Sequence, residues 1–127
     1  MADAGEPLLE HILQAGICSM DDIEGSRNLL GILDDPEKSG EIRNVERKMK
    51  ALSDAARLRI FLLISRGEKC VCEIEYLFQM PQPTVSRNLG ILENSGLIRK
   101  RKNGKWAYYS INDLNFGEFV KRTCGVE

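Results

Sequence analysis

Residues 82–97 read QPTVSRNLGILENSGL and predict one amphipathic helix. Apolar residues recur from Val85 at i, i+4 and i+7, which places them on one stripe. Pro83 suits a first helical turn, where its missing N–H would have no helical partner, and Gly96 suits a left-handed helix end. A short helix whose outer face carries hydroxyl, amide and guanidinium groups fits a major groove. An ordinary surface helix is the alternative that this stretch alone leaves open.

A second, shorter helical stretch comes before this one. Residues 70–79 have apolar side chains at i, i+3 and i+4, counted from Ile74. The run Met80-Pro81-Gln82-Pro83 then predicts a tight turn. Two short helices joined by such a turn, with a polar outer face on the second, form a helix-turn-helix.

The sequence after Gly96 changes from a helical to a strand-like pattern. Residues 97–101, LIRKR, and residues 106–111, WAYYSI, favour strands. Between them lies Lys102-Asn103-Gly104-Lys105, whose Asn-Gly pair is a strong hairpin signal. A basic β-hairpin directly after a helix-turn-helix is a wing that reaches phosphates or the minor groove. The predicted fold is therefore mainly α with a β-hairpin wing, a winged helix-turn-helix.

The remaining chain predicts three regions. Residues 1–40 form an N-terminal helical extension with one or two helices, or a frayed arm, with helix breakers at residues 34–36 and 39–40. Residues 41–122 form the DNA-binding domain, and residues 123–127 form a tail. Further helices of the domain are expected at about residues 41–52, 55–65 and 114–122. The second of these is nearly apolar all round, which predicts a central, buried helix. Leu114, Phe119 and Val120 could pack in a dimer interface or on the chain's own core.

Charge is segregated along the chain. The 127 residues have a net charge of −1, which by itself argues weakly against a nucleic-acid binder. Residues 1–41 contain ten acidic and two basic residues, whereas residues 82–109 contain six basic and one acidic residue. A local basic face is what meets phosphates, so this distribution favours DNA as a partner.

The composition also narrows the class of protein. With 43% hydrophobic residues the chain can bury a core. We find no apolar run of about 18 residues and no secretion signal, so we expect a cytoplasmic protein without a membrane span. The single histidine, His11, and the absence of a P-loop, a dinucleotide fingerprint or a nucleophile with paired carboxylates predict no catalytic site.

Cys70 and Cys72 form a C-x-C pair. In a regular helix these side chains would diverge by about 200°, so chelation requires a helix start or an unwound turn. Thiolates are soft ligands for zinc, cadmium, copper(I) or arsenic(III)-type ions, and Lys69 is expected to favour the thiolate form. Two small core cysteines are the alternative. Because two sulfurs rarely complete a site, a third ligand is needed, and Cys18 and Cys124 are the candidates.

Four stretches together resemble one protein family. Residues 50–60, KALSDAARLRI, resemble the KALSDPTRLRI opening of ArsR/SmtB-type winged-helix repressors. Residues 68–74, EKCVCEI, look like their ELCVCDL metal box, and residues 82–89, QPTVSRNL, look like QPTISRHL of the reading helix. Residues 104–109, GKWAYY, are similar to the GKWxxY of the wing. The resemblance covers about residues 45–112 in the family's order and spacing.

The resemblance implies a homodimer that binds double-stranded operator DNA and dissociates when an inducer binds. No cofactor is expected for DNA binding. The C-V-C box implies arsenite or antimonite, or cadmium, lead or bismuth, as inducer, with Cys70 and Cys72 as thiolate ligands. The N- and C-terminal helices are expected to form the dimer. The expected DNA contacts are Gln82, Thr84, Ser86, Arg87 and Asn88 in the reading helix and Lys100, Arg101, Lys102 and Lys105 in the wing.

The chain departs from the family pattern at three places. Arsenic-sensing members often have a third cysteine where this chain has Glu75, and no histidine after Ser110 provides a C-terminal zinc site. Pro81 replaces the serine that usually caps the reading helix. Two other functions therefore stay open on the same fold: a thiol redox switch, and a DNA-binding module without an inducer.

Overall fold

The structure, a computed structural model, describes residues 2–126 and shows a mainly helical chain with one small antiparallel sheet. Among these residues no helix is both long and apolar enough to cross a membrane. The elements are α1 (Ala2–Gln14), α2 (Met20–Asp34), α3 (Pro36–Ala51), α4 (Ala55–Ile64), β1 (Lys69–Cys70), α5 (Val71–Phe78), α6 (Gln82–Asn94), β2 (Ile98–Asn103), β3 (Trp106–Ile111) and α7 (Leu114–Cys124).

The chain divides into two compact units, Met1–Ile42 and Arg43–Glu127. The first contains α1, α2 and the first turns of α3. Ser19 begins α2 with a capping box, in which its hydroxyl accepts from the backbone of Asp22 and the Asp22 carboxylate accepts in return. The expected break at residues 39–40 is wrong. These residues lie inside α3, which begins at Pro36. Proline is well tolerated at a first helical position, so the helix starts there and continues through residues 39–40.

The core of the second unit is built around α4 and α6. The apolar sequence of α4 places Ile60, Phe61 and Ile64 in the interior, as expected for a central helix. Asp54 begins this helix by accepting a hydrogen bond from the backbone N–H of Arg57 at 3.1 Å. The predicted stripe of α6 is also buried. The core residues from other elements are Ala51, Ile74, Leu97, Ile98, Tyr109 and Val120.

Helices α5 and α6 form the predicted helix-turn-helix. Gln79 ends α5 in the left-handed conformation, with φ of 50°. Pro81 is the N-cap of α6 and provides no side-chain hydrogen bond, while Pro83 lies in the first turn, as the sequence predicts. Gly96 follows the helix with φ of 86°, which a residue with a Cβ adopts only under strain.

The wing is a hairpin of β2 and β3, and a third strand extends it. The strand order is β1-β3-β2, so the two residues of β1 pair with β3. The sequence pattern predicts a helix from Cys70 onward and gives no sign of this strand. The hairpin turn is also shifted by one residue: Asn103 pairs with Trp106, and Gly104 and Lys105 form the turn, with Gly104 at φ of 62°.

Helix α7 presents both an inner and an outer apolar surface. Asp113 begins the helix by accepting from the backbone N–H of Phe116 at 3.0 Å and from the ammonium of Lys48. Val120 is buried in the core of its own unit, whereas Leu114 and Phe119 are 72% and 53% exposed. The three residues that periodicity grouped together therefore face different surroundings.

Candidate functional site

The outer face of α6 carries most of the side chains predicted to read DNA. Gln82, Thr84, Ser86 and Arg87 are exposed, and they lie opposite the buried stripe. Asn88 does not share this face, because its side chain is only 8% exposed. The structure therefore separates Asn88 from the four exposed residues, and its contact with DNA stays a prediction.

The cations of the wing are divided between the two faces of the sheet. Residues directly opposite each other in antiparallel strands project to the same face. Lys100 lies opposite Tyr109 and Lys102 opposite Ala107, and both lysines are exposed. Lys105 occupies the turn with its ammonium 5.4 Å from the ring centre of Trp106. These three lysines present their charge to solvent.

Arg101 is exposed but is paired with an acidic side chain of the same unit. Its guanidinium donates two hydrogen bonds to the Glu68 carboxylate, at 3.1 and 2.7 Å, and lies 4.7 Å from the ring centre of Tyr108. These hydrogen bonds lower the pKa of Glu68 and raise the pKa of Arg101. The sequence predicts Arg101 only as one more exposed cation of the wing. It gives no sign of Glu68, because a pairing across 33 positions leaves no local signal.

The two thiols of the C-x-C pair meet at the junction between β1 and α5. Cys70 is the N-cap of α5 and is extended, with φ of −74° and ψ of 145°, while Cys72 lies in the first turn. Because Cys70 is extended, the divergence that a regular helix would impose does not apply to the pair. The requirement that the pair lie at a helix start is thus met. Cys70 is half-buried and Cys72 is exposed.

The electrostatics of the pair differ from the expectation based on Lys69. The hydrogen bond with Cys70 raises the pKa of the Cys72 thiol, and desolvation acts in the same direction. The backbone N–H groups of Cys72 and Glu73 oppose this shift. Lys69 is not among the causes, so the raised pKa of Cys72 does not support the expectation that Lys69 favours a thiolate. Proximity of two thiols disfavours two thiolates until a cation binds between them.

A third ligand for the pair is expected from Cys18 or Cys124. Within residues 2–126, no three His, Cys, Asp or Glu side chains form a group that could hold a metal ion. Cys18 is half-buried in the first unit and lines a cavity of about 290 Å³ with residues of α2. Cys124 is exposed at the end of α7, and Glu75, at the family's third-cysteine position, is half-buried.

Comparison with known proteins places this architecture in a family. Residues 54–100 match the family model described as bacterial regulatory protein, arsR family. The chain is 42% identical over 80 residues to the arsenical resistance operon repressor of Bacillus subtilis, covering 62% of this chain and 76% of that protein. It is 36% identical over 80 residues to a CadC homolog, a cadmium resistance regulatory protein of Staphylococcus aureus, covering 62% and 66%.

Solved structures support the same assignment. The homodimeric winged helix-turn-helix DNA-binding domain of Mb0332 from Mycobacterium bovis aligns with a TM-score of 0.66 and 30% identity, covering 72% of this chain and 84% of that fragment. The fold therefore defines a winged helix-turn-helix DNA-binding protein. The chain belongs to the ArsR family of bacterial transcriptional repressors. Membership of this family confirms that it is a transcriptional regulator and not an enzyme.

Proposed function

We propose that this repressor releases its operator in the cytoplasm when a thiophilic metal or metalloid binds Cys70 and Cys72. The inducer class is arsenite or antimonite, with cadmium, lead and bismuth as the other candidates. The observation that carries this proposal is the position of both cysteines at the start of α5, with Cys70 extended at the N-cap and Cys72 in the first helical turn. The names of the relatives, arsenical and cadmium resistance regulators, point to the same class of ion.

The position of the pair suggests how binding would reach DNA. Cys70 and Cys72 lie at the N-terminus of α5, and a turn of only three residues separates α5 from α6. An ion that fixes both sulfurs changes the first turn of α5, and α5 packs directly against α6. The exposed residues Gln82, Thr84, Ser86 and Arg87 would then lose their alignment with a major groove.

A complete site requires a contribution from beyond the pair. We propose that the repressor acts as a homodimer through its N- and C-terminal helices and that the third ligand is Cys18 or Cys124 of either chain. Apolar side chains exposed on α2 and α7, such as Leu29, Leu30 and Phe119, support a partner surface. Thiolate-to-metal absorption, measured during titration of the wild type, Cys18→Ser and Cys124→Ser, reports the coordination number. The variant that loses intensity identifies the third ligand.

A redox switch is the second candidate function, and the same placement of two thiols at the start of α5 favours it. Hydrogen peroxide would convert the two thiols to a disulfide and be reduced to two water molecules. A ring closed between residues i and i+2 is small and strained, which makes such a bond labile. Titrating the reduced repressor with arsenite, cadmium and bismuth, and separately with peroxide, distinguishes the two functions. Release by peroxide alone contradicts the metal proposal, and no release by either indicates a DNA-binding module without an inducer.

A further inference from the structure

One row of side chains crosses the sheet from the thiol pair to the wing. Cys70 of β1 lies opposite Tyr108 of β3, and Tyr108 lies opposite Arg101 of β2. Directly opposed residues share a face of the sheet, so Cys70, Tyr108 and Arg101 project to the same side. Glu68, two residues before Cys70, completes the row by accepting both hydrogen bonds from Arg101.

The row gives Arg101 two competing anionic partners. In the free repressor the Glu68 carboxylate neutralises its charge through a bidentate contact. When the wing approaches DNA, a phosphate oxygen can replace the carboxylate, because both anions accept from the same guanidinium fork. Both side chains are substantially exposed, 54% for Arg101 and 36% for Glu68, so exchange does not require the core to open.

We propose that Glu68 is a positioning residue that competes with operator phosphates for Arg101, and that ion binding at Cys70 biases this competition toward Glu68. The inference rests on the proposed function for its second half only. Glu68 directly precedes β1, and β1 ends at Cys70, where α5 starts. An ion that fixes Cys70 and Cys72 restricts this segment, so Glu68 remains against Arg101. The wing then loses one phosphate contact at the moment that α6 is displaced.

Glu68→Gln tests the competition, because it keeps the shape of the side chain and removes its charge. Operator affinity is measured by fluorescence anisotropy from 50 to 200 mM salt. In wild-type complexes Glu68 still holds Arg101 for part of the time, so releasing the arginine steepens the slope of log affinity against log salt by up to about 0.9 for each wing in contact. The variant should bind more tightly than wild type at 50 mM and lose up to about 3.5-fold of that advantage per wing at 200 mM.

Two further variants make the result specific. Glu46→Gln also removes an acid paired with a lysine, at 3.0 Å in α3, and changes the net charge equally. It is expected to leave the slope unchanged. In an Arg101→Ala background, Glu68→Gln should have no effect on the slope. A steeper slope in Glu46→Gln, or one that survives loss of Arg101, overturns the competition and assigns the effect to net charge.

Adding arsenite to the same variants tests the link to the thiols. The factor by which arsenite weakens operator binding should be smaller in Glu68→Gln than in wild type, because Arg101 can no longer be recaptured. If arsenite weakens operator binding equally in both proteins, ion binding at the thiols does not act through Glu68. If arsenite, antimonite, cadmium, lead and bismuth all leave wild-type binding unchanged, the proposed function fails, whereas the salt slopes still decide the competition for Arg101.

Discussion

Arg87 and Lys102 are both exposed cations, but they lie on elements that would meet DNA differently. Arg87 belongs to the outer face of α6, where a guanidinium can make a bidentate contact with a guanine edge. Lys102 belongs to β2 of the wing, where an ammonium meets phosphate as a point charge. The two residues should therefore contribute specificity and affinity in different proportions.

We expect Arg87→Ala to weaken binding to the operator by about 1–3 kcal/mol while changing binding to unrelated DNA much less. Lys102→Ala should weaken both DNAs alike and lower the salt slope by about 0.9 for each wing. Anisotropy titrations with operator and scrambled duplexes over a salt series measure both effects. Equal losses on both duplexes for Arg87→Ala would place that residue on the phosphate backbone instead.

Asp113, at the start of α7, makes a pH-dependent contribution to the free energy of unfolding. The Lys48 ammonium, hydrogen-bonded to this carboxylate, holds its pKa below the ordinary value. Its stabilisation is therefore complete above pH about 4 and is lost as the pH falls through the lowered pKa. Asp113→Asn keeps a capping side chain but loses the charge, so we expect a loss of up to about 1 kcal/mol at pH 7. Urea unfolding should show that this difference shrinks toward pH 3, and a constant difference would contradict the ion pair's role.

Among the elements, α6 is constrained at its C-terminal end as well as along its buried face. Gly96 has φ of 86°, and a Cβ there would also lie 3.7 Å from Cε of Lys48. The backbone oxygen of Gly96 accepts from the side chain of Asn112 at 3.0 Å, and that of Leu97 accepts from the Asn112 backbone at 2.9 Å. The end of the reading helix is therefore fastened to the segment that leads into α7.

Gly96→Ala should destabilise the protein by about 1–2 kcal/mol, because an L-residue is strained in the left-handed region. Gly90→Ala is the matched control in the same helix. Gly90 is helical, a Cβ added there would meet nothing within 4 Å, and alanine should stabilise by about 0.5–1 kcal/mol. Urea denaturation of both variants measures the difference. Equal effects at the two positions would show that the helix end carries no special constraint.

The elements also show which features sequence alone can predict. The stripe from Val85 to Leu92 predicts α6 because burial follows helical periodicity, and the Asn-Gly pair predicts the hairpin because turn chemistry is local. The sequence could not separate Asn88 from its exposed neighbours. It lies next to the buried stripe, and a polar residue type does not show whether such a position faces the core or solvent. Strand β1 and the contact between Glu68 and Arg101 depend on residues that are distant in sequence, so no local pattern predicts them.

At the scale of the whole molecule, the second unit has a closed core, yet apolar side chains remain outside it. Leu114 is 72% exposed and Phe119 is 53% exposed on α7, while Val120 of the same helix is buried. The ring of Phe119 contacts that of Phe116 edge to face, with centroids 5.7 Å apart, which fixes its outward position. An ordered apolar surface of this kind supports the proposed homodimer.

Replacing both Leu114 and Phe119 with Glu should convert the dimer to a monomer and weaken operator binding, because two half-sites would no longer be bound by one assembly. Asn115→Glu introduces one charge at an exposed polar position of the same helix and should leave the dimer intact. Sedimentation velocity gives the assembly state of each variant. A wild-type monomer, or a double variant that remains dimeric, would contradict the assignment of α7 to the interface.

The proposed conversion of ion binding into loss of operator affinity depends on Cys70 and Cys72. Its most direct test is an operator-binding titration with arsenite, antimonite, cadmium, lead and bismuth on the reduced wild type and on Cys70→Ser/Cys72→Ser. We predict that at least one of these ions releases DNA from the wild type and that the double variant binds DNA normally but is not released. Unchanged wild-type affinity in all five ions, or equal release of the double variant, would contradict the claim.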